Sequence, residues 1–238
     1  MPPPRPRDPA WGIADVLALG AVTFAVMYVV ALTIAVPLAA ANHVTGELPP
    51  NLVAKVSIPA EVIAYTLLIV LTKMLLGMRG HPRMLQTLQW NWPHWRRALA
   101  FAVLAMGCAL AIAEVGSLFN IPPDLPIEQA MKDRSVANMF LIFGILPAPF
   151  AEEFYFRGLL YPALDRKIGS VAAIVITAVT FTALHAPQLA STVVPLVMLF
   201  VVGLILTLIR ALTGSLAIAF VFHVVYNASL FLLDALAK

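Results

Sequence analysis

The sequence predicts an all-α fold, a polytopic transmembrane helix bundle of about seven spans. Composition is the first observation. Of the 238 residues, 61% are hydrophobic and 11% charged, and the mean hydropathy is +0.92. A water-soluble domain is about half apolar and a quarter charged. The second observation is the length of the apolar runs, each near or above the ~20 residues that cross ~30 Å of hydrocarbon as a helix. They are too long and too evenly apolar for alternating barrel strands, so helices are the spanning form. The third is punctuation, since proline, glycine and basic residues fall between the runs.

The elements follow in order. Residues 1–10 are proline-rich with Arg5 and Arg7 and read as a short extended, disordered tail. The first run, Val16–Ala41, is about twice a signal-peptide apolar region and is read as a retained span. Gly46, Pro49 and Pro50 separate it from Val56–Leu76. The longest polar connection contains "LGMRGHPRM" and "WNWPHWRR", with tryptophans where interfacial anchors sit. Ala98–Phe119 then ends at "NIPPDLP", and Val136–Leu164, Ile168–Ala186, Leu189–Leu212 and Leu216–Leu236 follow. No repeat and no second soluble domain stands out.

Basic residues set the orientation. With the N-terminus inside, Arg5, Arg7, Lys73, Arg79, Arg83, Arg96, Arg97, Arg166, Lys167 and Arg210 lie inside, against Lys55, Lys132, Arg134 and Lys238 outside. A net charge of +3 is too small to argue for nucleic acid. The single cysteine, Cys108, excludes an internal disulfide and reads as a small buried hydrophobe.

The informative residues are the polar ones inside the runs. A charge at the bilayer centre costs roughly 2.5–3.5 kcal/mol on insertion scales, so it must be paired or face the bundle interior. In "PFAEEFYFRGLL" (149–160), Glu153 and Arg157 are four apart and can pair along one helix face. Glu152 points about 100° away and is free for chemistry. Pro147 and Pro149 should bend or break the helix just ahead, and Gly158 should admit a close neighbour. In "FTALHAP", Phe181 lies one turn before His185 and can restrict its rotamer; in "FHVVYNASL", His223 and Asn227 share a face. Counted from the inner loops, Glu152, His185 and His223 lie roughly 18, 25 and 14 Å deep, a scatter that tilts and kinks can absorb. Glu61 and Glu114 read as structural or interfacial groups.

A carboxylate and two imidazoles around a water pocket suit hydrolysis without a covalent nucleophile. Glu152 can act as general base, His185 can orient the water, and His223 and Asn227 can donate to a developing oxyanion. The same set, His185, His223, Glu152 and Asn227, could instead hold Zn²⁺ and lower the pKa of its water. His-Glu-x-x-His is absent, and Ser170, Ser191 and Ser229 lie in no nucleophile motif.

"EEFYFR" (152–157), "FTALH" (181–185) and "HVVYN" (223–227) resemble, in order and complete, the three motifs of the CPBP family of intramembrane endopeptidases. This is the CAAX-protease and bacteriocin-processing family, also called Abi. The resemblance covers about residues 138–233, the first three spans matching only in hydrophobicity. It implies residues 11–135 as N-terminal transmembrane helices 1–3 and 136–238 as a CPBP-like catalytic core of helices 4–7. It also implies Glu152 as base, His185 as its partner, His223 and Asn227 at the oxyanion or a metal, and Glu153, Arg157 and Phe181 in support. The expected activity is hydrolysis of a peptide bond near the membrane surface, by a (metallo)endopeptidase of CAAX type with Zn²⁺ as the candidate cofactor. The expected partners are the lipid bilayer and a peptide or membrane-anchored protein. The expected location is the bacterial inner membrane, with a cytoplasmic N-terminus. Within the family, the bacterial branch is linked to peptide processing, bacteriocin self-immunity and regulation. A non-catalytic immunity or scaffold protein is therefore the alternative. A proton-linked permease relaying through Glu61, Glu114 and Glu152 fits less well, because those acids are scattered and no repeat is visible.

Overall fold

The computed structural model describes residues 10–119, 125–190 and 192–236. The tail expected over residues 1–10, apart from Ala10, and most of the "NIPPDLP" turn lie outside these. Seven helical stretches among the described residues are long and apolar enough to cross a membrane, and the protein is an all-α polytopic bundle. Large apolar side chains such as Leu17, Tyr28, Val36, Val103, Val171 and Leu212 face outward, as a lipid solvent permits.

Helices α1 (Ile13–Ala41) and α2 (Pro50–Met78) form the first hairpin and pack along one another. The connection after them holds one short turn, α3 (Met84–Thr87), before α4 (Trp95–Ser117). A short helix α5 (Pro126–Met131) leads into the fourth span. That span is built from pieces: α6 (Arg134–Ile145), α7 (Pro147–Glu152), a π-helix (Glu153–Leu160) and α8 (Tyr161–Ile168). The break expected at the prolines falls at Leu146, whose φ of −124° leaves the helical range just before Pro147. Then come α9 (Ser170–His185) with a 3₁₀ turn (Ala186–Leu189), α10 (Val193–Thr213) and α11 (Leu216–Leu236).

Two apolar cores hold the bundle. One gathers the start of α1, the C-terminal half of α2, the π-helix, α8 and α9 around Leu68, Leu76, Phe154, Leu159 and Phe181. The other joins α4, α10 and α11 around Ala105, Leu206, Ile218 and Phe222. Cys108 packs half-buried against this second core, with no disulfide. Gly214 ends α10 at φ +65°, a left-handed turn that glycine enters without a Cβ penalty, and the chain reverses directly into α11. This turn sets α10 beside the histidine helix α11.

The connection after α2 is anchored to the bundle. Leu88 is fully buried, and Trp90 packs against Phe150 of α7 and Phe220 of α11 at ring distances of 5.3 Å. Arg79, just past α2, grips Asp15 of α1 through two 2.7 Å bonds, and that bond keeps its guanidinium above its ordinary pKa.

At the opposite side of the hairpin, Asp133 caps α6 by accepting from the Ser135 backbone N–H at 2.9 Å. It also receives Lys55 Nζ of α2 at 2.6 Å. Lys55 first, then Ser135 and Asn51, hold the Asp133 carboxyl well below the usual aspartate range. A depressed folded pKa contributes stability above the unfolded value and loses it as pH falls through the folded one. The wild type should therefore unfold at higher temperature than Asp133→Asn in detergent at about pH 6, and the gap should close as pH drops below about 4. A gap that stays constant down to about pH 3 would contradict the ion pair's role.

Candidate active site

The site grows from the π-helix. Wider i→i+5 pairing is confirmed by the Tyr161 backbone N–H, which reaches the Phe156 carbonyl. In that register the next donor, to Arg157, would come from residue 162. That residue is Pro162, which has no N–H. The Arg157 carbonyl instead accepts from Arg210 Nε of α10 at 3.1 Å. A second carbonyl of the segment, that of Leu159, accepts from the Trp11 indole at 2.9 Å. The motif helix is thus held by side chains from both ends of the chain. Gly158 does admit a close neighbour, since a Cβ there would stand 3.2 Å from the Leu216 side chain.

Glu153 and Arg157 form the predicted pair, 2.8 Å apart and fully buried. Arg157 also donates to the Thr207 hydroxyl at 3.2 Å and the Gly203 carbonyl at 3.1 Å, and its guanidinium lies 4.7 Å over the Phe181 ring. Glu153 Oε1 receives a second bond, from His223 Nδ1 at 2.9 Å.

Glu152 faces elsewhere, as its angular offset predicted. His185 Nε2 stands 3.7 Å from its Oε1 and His223 Nε2 stands 3.7 Å from its Oε2. The two imidazoles therefore flank one carboxylate. Their tautomers follow from their other nitrogens. His185 Nδ1 lies 2.8 Å from the Phe181 carbonyl, an acceptor, so Nδ1 carries the proton. His223 Nδ1 donates to Glu153 by the same argument. In the neutral state both Nε2 lone pairs thus point toward Glu152. Phe181 lies between the rings, 4.6 Å from His185 and 6.1 Å from His223, and fixes both. The side chain of His223 is 4% exposed, against 14% for Glu152 and 22% for His185, so the cluster opens on the Glu152–His185 side.

The structure thus brings together Glu152, Glu153, Arg157, Phe181, His185 and His223. Asn227 stands one turn beyond His223, and its Nδ2 donates to the Gly144 carbonyl of α6 at 2.8 Å; it makes no hydrogen bond to Glu152, His185 or His223. Glu61 of α2, read from sequence as structural or interfacial, lies within electrostatic reach of Glu152 and His185. Glu114 has an exposed side chain. Three residues escaped the sequence reading. Gly203 and Thr207 look like ordinary members of an apolar helix, and Arg210 looks like an inner-loop charge. Arg210 is instead 5% exposed and part of the cluster's support.

The donor types suit zinc, with two imidazole nitrogens backed by a carbonyl and a carboxylate. Their placement does not: among the described residues no group of three or more His, Cys, Asp or Glu is set to hold a metal ion.

Polar groups from three separate spans thus converge in one largely buried cluster. In comparisons with known proteins, residues 134–229 match the family model described as type II CAAX prenyl endopeptidase Rce1-like. The matched stretch runs from α6 through α11 and contains all three motifs, which bears out the family resemblance. No curated protein and no solved structure matches the chain.

The buried pair should dominate local stability. Arg157→Met leaves Glu153 as an uncompensated buried charge and should cost about 3–5 kcal/mol, read as thermal unfolding in detergent. Adding Glu153→Gln should recover a large part of that loss. Additive losses in the double variant would show that the two side chains do not act as a pair.

Proposed function

We propose that the protein is an intramembrane endopeptidase that hydrolyses a peptide bond with a water activated by Glu152. The observation that carries this reading is the convergence of two imidazole lone pairs on a single partly buried carboxylate, 3.7 Å away on either side. Three acceptors around one space call for a donor among them, and water supplies two O–H bonds. One O–H directed at Glu152 and the other at His185 leave the water's lone pair facing outward, toward a substrate carbonyl carbon.

The chemistry then balances simply. The water oxygen bonds to the carbonyl carbon as its proton passes to Glu152. The carbonyl oxygen becomes an oxyanion. His223 serves it when both ring nitrogens carry a proton: Nδ1–H stays on Glu153 and Nε2–H donates to the oxyanion. Asn227 has given one amide proton to Gly144 and keeps a second for the same oxyanion. On collapse the C–N bond breaks, and the proton held by Glu152 goes to the leaving amine. The products are a carboxylic acid and an amine. No step passes through a metal.

The substrate is read as a peptide or membrane-anchored protein, reached from the cytosolic side of a bacterial inner membrane with the N-terminus inside. The matched family acts on prenylated CAAX proteins by its description. The motifs govern amide hydrolysis rather than the lipid, so the reaction class carries over before the anchor does.

Purified protein in proteoliposomes, incubated with membrane-anchored peptide libraries, tests the reading. Glu152→Gln preserves shape and removes the base, and should lower cleavage by about 10²–10⁴-fold at unchanged folding yield. Unchanged cleavage, or no cleavage by either protein alongside an unchanged immunity phenotype, would favour the scaffold alternative. Incubation with a strong zinc chelator should leave the rate unaltered, checked beside metal analysis of the same sample. A rate that falls with the chelator and returns with Zn²⁺ would overturn the metal-free route.

A further inference from the structure

The structure assigns Thr207 and Arg210, on the one C-terminal span that carries none of the three motifs, as positioning residues that hold the Arg157–Glu153–His223 chain in register. This rests on the hydrolytic reading of the site and extends it to a fourth helix.

Gly203, Thr207 and Arg210 are spaced four and three apart on α10, so they form one stripe along a single helix face. That stripe meets Arg157 at both its ends. On the side chain, Thr207 Oγ1 accepts from Arg157 Nε at 3.2 Å while donating to the Gly203 carbonyl at 2.8 Å. The same carbonyl accepts from Arg157 Nη2 at 3.1 Å. On the backbone, Arg210 Nε supplies the donor that Pro162 cannot give to the Arg157 carbonyl. Arg210 is itself held, through Nη2, by the Gln89 side chain at 2.7 Å. Gln89 also accepts the Leu216 N–H through its backbone carbonyl, which joins the connection after α2 to the start of α11.

The consequence is directional. With Nε and one Nη2 hydrogen engaged on α10, Arg157 meets Glu153 through Nη1, and it contacts only Oε1. A guanidinium free of α10 could turn its two-pronged edge to both carboxylate oxygens, as such pairs prefer. Glu153 would then rotate away from His223 Nδ1, and the proton that fixes the His223 tautomer would lose its acceptor. The α10 stripe thus sets which nitrogen of His223 carries the proton, and so whether Nε2 offers Glu152 a lone pair, without touching the reacting atoms.

The test is Thr207→Val, which keeps the shape and removes the hydroxyl, with Thr207→Ser as rescue. Two readouts are taken. Steady-state cleavage in proteoliposomes should show kcat lowered about tenfold or more with KM little changed, and Thr207→Ser should restore it. Nitrogen-15 NMR of histidine-labelled protein, with His223→Asn assigning the resonance, should show a single Nδ1–H tautomer at His223 in the wild type and in Thr207→Ser. Thr207→Val should add the Nε2–H form. The NMR readout does not depend on catalysis, so it decides the positioning role even if no peptide is cleaved. An unshifted His223 signal with wild-type kcat, or equal losses in the valine and serine variants, would overturn the assignment. If Thr207→Val yields no folded protein, Arg210→Met takes its place, with Pro162→Ala added as rescue because alanine returns a backbone N–H beneath the Arg157 carbonyl. Failure of that N–H to restore the tautomer or kcat would equally overturn it.

Discussion

The buried ion pair of Glu153 and Arg157 is the constraint from which the rest of the core follows. Neither side chain has any solvent contact. A charge in that position is stable only if its partner is in place and its remaining donors and acceptors are satisfied. Arg157 meets that demand through a hydroxyl and a carbonyl of α10 and the face of Phe181 on α9. Glu153 meets it in part, through His223 on α11 at Oε1, while its Oε2 is buried without a hydrogen-bond partner. One pair therefore fixes four helices relative to one another, and the three motif helices are brought together by electrostatic necessity in a solvent that offers no alternative partners.

The π-helix is the local geometry that makes this possible. A wider turn leaves backbone carbonyls less regularly paired, which in lipid is costly unless other donors are supplied. Here Trp11 and Arg210 supply them. Trp11 is secured in turn by Arg166, which donates to its carbonyl at 2.6 Å and lies 5.1 Å from its ring. The carbonyls of the irregular helix are thus served from the beginning of α1 and the end of α10, with the end of α8 holding Trp11 in place.

The spans were legible because hydrophobic length is a direct physical requirement of the bilayer. The polar constellation was legible because each charged residue in a lipid-facing chain needs a reason, and four-residue spacing shows which ones share a face. The offset between Glu152 and Glu153 followed from helix geometry alone, and their separate partners agree with it. What stayed hidden had no compositional mark. Wider helical pairing uses the same residues as an α-helix, so the fourth run read as one continuous span. Thr207 resembles any threonine that returns its hydroxyl to the preceding turn. Arg210 sits near a helix end, where basic residues ordinarily reach the headgroups. Only its contact with a carbonyl opposite Pro162 reveals an inward role. Glu61 was hidden for a related reason: nothing in the sequence of α2 says which of its faces meets α7.

The adjacency of the two glutamates resolves into a division of labour. Counted formally, Glu152, Glu153 and Arg157 leave one excess negative charge in a low-dielectric space, and one proton on an imidazole cancels it. That count matches the proposed route, in which His223 is protonated to meet the oxyanion and Glu152 stays charged to receive the proton of water. Had Arg157 paired with Glu152 instead, the proposed base would be held as a spectator and His223 would lack the acceptor that fixes its tautomer. The one-residue offset along the helix, with the α10 stripe holding Arg157 to the second glutamate, is what leaves the first one outside the ion pair and free for the proposed chemistry.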